Sequence, residues 1–289
     1  MIVWPTIAAA RAHDAATRTP FFVASPGAVP LPVGSVAHAH LRSLRRWPQW
    51  LQVDEHRITL HCASAARAEA MATMHDALRR EGLIVAWRDE AFPLFTVHGE
   101  PTGVSIERAA TRFWGSLTLG AHCNGFVADA HGRPAQLWIA RRSLSKATDP
   151  GKLDNLVGGG VPAGQSPRDT VIREAWEEAG LEPPQLQGLA RGRVLKLLRD
   201  IPEGLQREWI HVYDLALPAG LTPHNQDGEV AELSLHPLAQ ALALAAGEQM
   251  TVDASLVTLD FVLRHGLLDG TDAHALATQA STLFDGQAA

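Results

Sequence analysis

Three carboxylates, Glu174, Glu177 and Glu178, stand with Arg173 in the segment REAWEEAG. At i, i+3 and i+4 of a helix such side chains are neighbours one turn apart, where like charges repel. Arg173 precedes Glu177 by four residues and can pair with it, but a single cation does not neutralise three anions. A hard divalent cation does. Mg2+ prefers oxygen ligands, keeps several waters, and is bound through a few carboxylates together with substrate phosphates. Such an ion polarises a phosphoryl oxygen and generates hydroxide from bound water near neutral pH. The competing reading is a solvated acidic helix face with no ligand at all.

The elements around the cluster favour the first reading. Ser166 is suited to cap a helix, Pro167 to its first position, and Asp169 to the acidic place of a capping box, with Gly180 as the stop, so a helix is predicted over Pro167–Ala179. Val171, Ile172, Ala175, Trp176 and Ala179 are expected to form its apolar face, leaving Arg173, Glu174, Glu177 and Glu178 on one polar side. Upstream, residues 153–157 read as a short strand entering Gly158, Gly159 and Gly160. Residues 120–130 and 135–141 flank the turn-forming His131-Gly132-Arg133-Pro134 and read as a hairpin. Arg141, Arg142 and Lys146 follow it as three cations near the glycines, suited to clamping a diphosphate against Gly159 and Gly160, or else plain surface charges. Downstream, residues 193–198, 209–217 and 229–235 read as strands and 237–246 as a helix. Glu229, just after the turn Gln226-Asp227-Gly228, is either a further carboxylate able to assist a water molecule or an ordinary turn residue. His122, His211 and His224 lack metal-ligand spacing and read as ordinary polar histidines.

The rest of the chain bounds the alternatives. The first thirty residues, rich in Ala and Pro, read as an irregular lead-in, followed by helix 36–46, strand 58–62, helix 63–80, strands 83–87 and 94–97, and a helix at 105–112. This gives a small α+β domain at 1–112 of unreadable role, a domain carrying the acidic helix at 113–250, and a helical extension at 251–289. Val252, Leu256, Leu259, Leu263 and Leu267 in that extension fall at helical spacing and pack either on the chain's own core or on a second copy in a homodimer. A net charge of −6 and a pI near 6.1 supply no global positive field, so nucleic acid and anionic membranes are not expected partners. Two cysteines, Cys62 and Cys123, suggest neither a disulfide framework nor zinc, and no apolar run approaches a bilayer span, so a soluble protein of the reducing cytoplasm is expected.

The spacing from Gly159 to Leu181 resembles the Nudix box, G-x5-E-x7-R-E-U-x-E-E-x-G-U with U aliphatic. Gly159, Arg173, Glu174, Ala175, Glu177, Glu178, Gly180 and Leu181 fall on it in register, Ala175 being small for its place, while Gln165 stands where the first glutamate belongs. The resemblance implies a mixed sheet sandwiched between helices (an α/β/α sandwich), Glu174, Glu177 and Glu178 as ligands of Mg2+ or Mn2+, Arg173 as the group that orients them, and hydrolysis of a small-molecule diphosphate. The string WIARRSLSKATDPGKLDNLVGGGVPAG, with HCNGFV before it and DGEV after it, further resembles Nudix proteins related to thiamine pyrophosphokinase that carry an extra N-terminal domain. That similarity implies thiamine diphosphate, or its oxidised or damaged analogues, as substrate. A nucleoside diphosphate derivative, or a sensor that binds such a ligand without turnover, are the rival readings, the latter favoured by Gln165.

Overall fold

Period-two burial in the first half is seen at Thr19, Phe21 and Val23 on one strand, which pairs into a sheet with the next, where Val33 and Val36 are buried. The computed structural model describes residues 2–25 and 27–285. After a short helix α1 (Thr6–Ala9), strands β1 (Arg18–Val23), β2 (Leu31–Ala37), β3 (Leu51–Val53) and β4 (Ile58–Leu60) join in the order β2-β1-β4-β3, with α2 (Leu41–Leu44) between β2 and β3. Helix α3 (Arg67–Arg80) lays Met71, Met74 and Leu78 on this sheet. A hairpin of β5 (Ala91–Phe95) and β6 (Pro101–Glu107) then leads into α4 (Arg108–Trp114).

Several sequence expectations change here. The lead-in is ordered, and its strand signal is diluted by Pro20, Pro30 and Pro32. The helix expected over 36–46 shrinks to Leu41–Leu44, because Val36 is drawn into β2 by pairing with Thr19. No strand forms at 83–87; Ala86 takes φ 58°, which breaks an extended run. The helix expected at 105–112 starts at Arg108, where the Glu107 carboxylate accepts from the Ala109 amide at 3.2 Å.

The second half holds β7 (Leu117–Ala128), β8 (Pro134–Arg142), β9 (Leu153–Asp154), β10 (Val157–Gly160), α5 (Pro167–Ala179), β11 (Ala190–Ile201), β12 (Gly204–Ala216), β13 (Val230–Pro237), α6 (Leu238–Ala246), α7 (Val252–Arg264), α8 (Gly270–Ala280) and β14 (Phe284–Asp285). Its sheet runs β13-β8-β7-β12-β11-β14, with β10 on β7 and β9 on β8; β7 and β12 are parallel and the other pairs antiparallel. Helix α5 covers one face through Val171, Ala175 and Ala179, and α6 and α7 cover the other, so the mixed sheet is sandwiched between helices as expected.

Helix α7 is the deepest element. Leu256, Val257, Leu259, Phe261 and Val262 have no exposed surface, each burial contributing about 1.5–3 kcal/mol. Its Asp260, also fully buried, is held by Arg193 and by Arg264 at 2.7 Å. The stripe at Leu256 and Leu259 is therefore spent on the chain's own core. The chain's opening residues join it there: Trp4 Nε1 donates to Ser255 Oγ at 2.9 Å, and Ala10 and Ala12 carbonyls accept from Leu198 and Asp200 amides at 2.9 and 2.8 Å. Among the described residues no helix is long and apolar enough to cross a membrane.

Candidate active site

Helix α5 spans the predicted residues, and its start carries the predicted capping box: Ser166 Oγ accepts from the Asp169 amide, and the Asp169 carboxylate accepts from the Ser166 amide, both at 3.2 Å. Gly180 closes it at φ 63°. The side chains are distributed differently from the expectation. Trp176, assigned to the apolar face, is 51% exposed, while Glu174 and Glu178, assigned to the open side, are buried. These two glutamates are four residues apart and face strand β10, whereas Glu177 is partly exposed and pairs with Arg173.

Glycine makes that approach feasible. A methyl built on Gly159 would come 2.1 Å from Glu174 Oε1, and one on Gly160 would come 2.6 Å from Phe92 Cζ. Gly158 donates its amide to Glu178 Oε2 at 2.9 Å. Gly159 and Gly160 thus admit the side chains of Glu174 and Phe92.

Arg173 organises two of the three carboxylates, donating to Glu174 Oε1 at 2.7 Å and to Glu177 Oε2. Burial alone would lower its pKa, but Glu174 and Glu177 outweigh burial and raise it. The amide oxygen of Gln165 accepts from Thr170 Oγ1 at 3.1 Å and from Arg173 Nε at 3.4 Å. The residue that departs from the box therefore still holds the box arginine.

Burial raises the Glu174 carboxyl, with Arg173 opposing, and pushes Glu178 up to about 8, opposed chiefly by Lys146. Lys146 is buried, which lowers its ammonium pKa; its Nζ is 3.6 Å from Glu178 Oε1 and pairs with Glu229. Lys146 thus links Glu229 to Glu178 on the acidic helix. Of the three cations expected to clamp a diphosphate, Arg142 pairs with Asp154 at 2.8 Å and the Thr148 carbonyl, Arg141 with the Gly151 carbonyl and Glu232, and Lys146 with the two glutamates. His122, read as ordinary, lies beneath Gly158 and contacts Asn155 Oδ1 at 3.1 Å.

Among the described residues no three His, Cys, Asp or Glu side chains converge as a ready metal cage. The reason is visible in the pairing: Glu174 and Glu177 turn to Arg173, and Glu178 and Glu229 to Lys146. An all-oxygen donor set that already faces a cation between Glu178 and Glu229 fits a hard divalent ion chemically, provided these side chains rotate from their present partners.

Sequence reasoning missed Arg108. Its charge helps hold Glu174 down, and its Cζ lies 3.5 Å from a methyl built on Gly160. It lies some fifty residues before the box, so only its place before a helix in IERAATRFWG marked it.

Comparison with known proteins agrees with this architecture. A family model described as NUDIX domain matches residues 120–254, and one described as Domain of unknown function (DUF4743) matches 6–117. The chain is 38% identical over 205 residues to Nudix hydrolase 20, chloroplastic, of Arabidopsis thaliana (70% of this chain, 54% of the relative). It is 37% identical over 203 residues to Nudix hydrolase 24, chloroplastic, of the same plant (70% and 55%). A solved structure, DR0079 of Deinococcus radiodurans, aligns with TM-score 0.45 and 27% identity over 60% of this chain and 99% of its own. The chain spans about half the length of the curated relatives it matches. With the box in register and the sandwich around it, residues 120–254 match the NUDIX domain model and carry its fold, and the residues before them match the DUF4743 model.

Proposed function

We propose that the cleft beside α5 hydrolyses a diphosphate linkage with the help of a divalent metal ion. The observation that carries this reading is the burial of Glu174 and Glu178 against glycine backbone. Two carboxylates held out of water at raised pKa are costly as structure and useful as ligands or proton acceptors. When bound to Glu174, Glu177 and Glu178, Mg2+ or Mn2+ supplies charge for the phosphoryl oxygens and an acidified water.

The chain's own residues do the remainder. Arg173 fixes the directions of Glu174 and Glu177, and Gln165 fixes Arg173. Water oxygen bonds to phosphorus, the bridging P–O bond breaks, the leaving phosphate keeps the bridging oxygen, and the water proton passes to a carboxylate. Glu229 is the acceptor in this reading, since it is solvent-accessible and lies across Lys146 from Glu178.

For the substrate we favour thiamine diphosphate or an oxidised or damaged analogue, yielding the monophosphate and phosphate. The support is the resemblance over residues 138–164, which includes the loop that delivers Lys146. A nucleoside diphosphate derivative is the alternative within the same chemistry. The sensor reading loses its motive, because Gln165 still performs the contact to Arg173.

Purified protein incubated with thiamine diphosphate, oxidised analogues and nucleoside diphosphate derivatives should release phosphate or a monophosphate with Mg2+ or Mn2+, and cease to do so in EDTA. Glu178→Gln should lower turnover on the order of a hundredfold or more with an unchanged melting curve. A variant as fast as wild type under saturating Mg2+ would sink the assignment.

A further inference from the structure

The β5–β6 hairpin of the N-terminal half forms a wall of the glycine loop. The Ala163 amide donates to the Ala91 carbonyl at 2.8 Å, and the Phe92 ring occupies the space that a side chain at Gly160 would need. The hairpin is thereby fixed next to Gly159, where Glu174 packs. Two arginines are mounted on this wall. Arg108 sits 5.3 Å above the Phe92 ring centroid and donates to Glu90 Oε2 at 2.8 Å, leaving part of its guanidinium fork toward Gly160. Arg88 is exposed; its backbone amide is anchored on Glu107 Oε1 at 3.0 Å, and among the described residues its guanidinium has no hydrogen bond or ion pair.

Charge accounting at the cleft mouth makes these two side chains unusual. Arg88 lies within Coulombic reach of Arg108 and Arg142 and of Glu90 and Glu107; partial burial first, and then Arg108, lowers its pKa, with the two glutamates opposing. Arg142 already gives three donors to Asp154 and the Thr148 carbonyl, and Lys146 faces Glu178 and Glu229, so most of their donors are engaged within the domain. A diphosphate beside three carboxylates nevertheless needs cationic donors for its oxygens, and planar guanidinium groups match phosphate geometry two bonds at a time.

We propose that Arg88 and Arg108 of the N-terminal half bind the phosphoryl oxygens of the diphosphate, so that the two halves of the chain share one active site. This rests on the diphosphate reading above and adds the substrate-holding cations to it. It also gives the DUF4743 domain a role: it presents donors that the Nudix domain has committed internally.

Two measurements test this. Steady-state kinetics with the best-turned-over diphosphate should show Arg88→Ala raising KM about ten- to hundredfold with kcat within about threefold, and Arg88→Lys recovering part of the loss. Arg108→Ala also removes the Glu90 pair, so Arg108→Lys serves as the folded variant and should raise KM with an unchanged melting curve. Separately, calorimetric binding of inorganic pyrophosphate in Ca2+ should weaken about tenfold or more in Arg88→Ala. Unchanged KM and pyrophosphate affinity in both Arg88→Ala and Arg108→Lys overturn the proposal while leaving the hydrolase reading intact, as does a fall in kcat alone. If wild type turns over no diphosphate, the hydrolase reading fails and the pyrophosphate affinities decide the arginines by themselves; absence of pyrophosphate binding to wild type overturns the proposal.

Discussion

At the scale of single residues, the centre is a set of compensated charges. Arg173 is shared by Glu174 and Glu177, Lys146 by Glu178 and Glu229, and only Gln165 breaks the acidic pattern. Because its amide oxygen already faces Thr170 and Arg173, Gln165→Glu should strengthen an existing contact instead of creating one. Turnover is expected to stay within about threefold of wild type and stability to change by less than about 1 kcal/mol. A gain of tenfold or more in kcat would show that the position demands a carboxylate for chemistry. The acidic residues themselves were legible because charge repulsion at fixed helical spacing is a local property. Their burial was not: Glu174 and Glu178 are drawn inward by β10, whose glycines leave room for them, and that partner is invisible to a reading of one helix at a time. The commitment of Arg141 and Arg142 to Gly151, Thr148 and Asp154 was likewise hidden, since it depends on how the 143–152 loop folds back.

At the scale of elements, α5 is specified by its ends. Ser166 and Asp169 satisfy each other's backbone amides, and Pro167 needs no amide partner at the first position. Ser166→Ala should cost about 1 kcal/mol of unfolding free energy, read from denaturant midpoints, because one cap is lost from a helix otherwise held by packing. A cost near zero would mean that tertiary contacts alone set where the helix begins. The boundaries of α5 and the hairpin β7–β8 follow from caps and turn residues, so the sequence predicts them well. The first half resisted because its strands are short and interrupted by proline, and because one pairing is parallel across a long gap, β1 meeting β4 some forty residues later. Helix α4 was displaced by a strand that exists only because β5 pairs with it.

At the scale of the whole molecule, stability depends on groups far from the chemistry. His75 is buried in the first half, and its Nε2 faces Trp114 Nε1 at 2.8 Å, so it must accept that hydrogen bond in its neutral form. Burial lowers its pKa from 6.5 to about 4. The folded value lies below the unfolded one, so the contribution is fully present above about pH 6.5 and is lost as pH falls toward 4, reaching roughly 3 kcal/mol. Urea midpoints should therefore drop between pH 7 and pH 4.5, and His75→Gln should flatten that slope; an identical slope in the variant would refute the assignment. The seam between Trp4 and Ser255 has a different consequence, one of timing. Synthesis at roughly 5–20 residues per second delivers α7 tens of seconds after Trp4 leaves the ribosome. Throughout that interval the indole has no berth, so the core around α7 closes only after that helix has been made, and Trp4 waits for it.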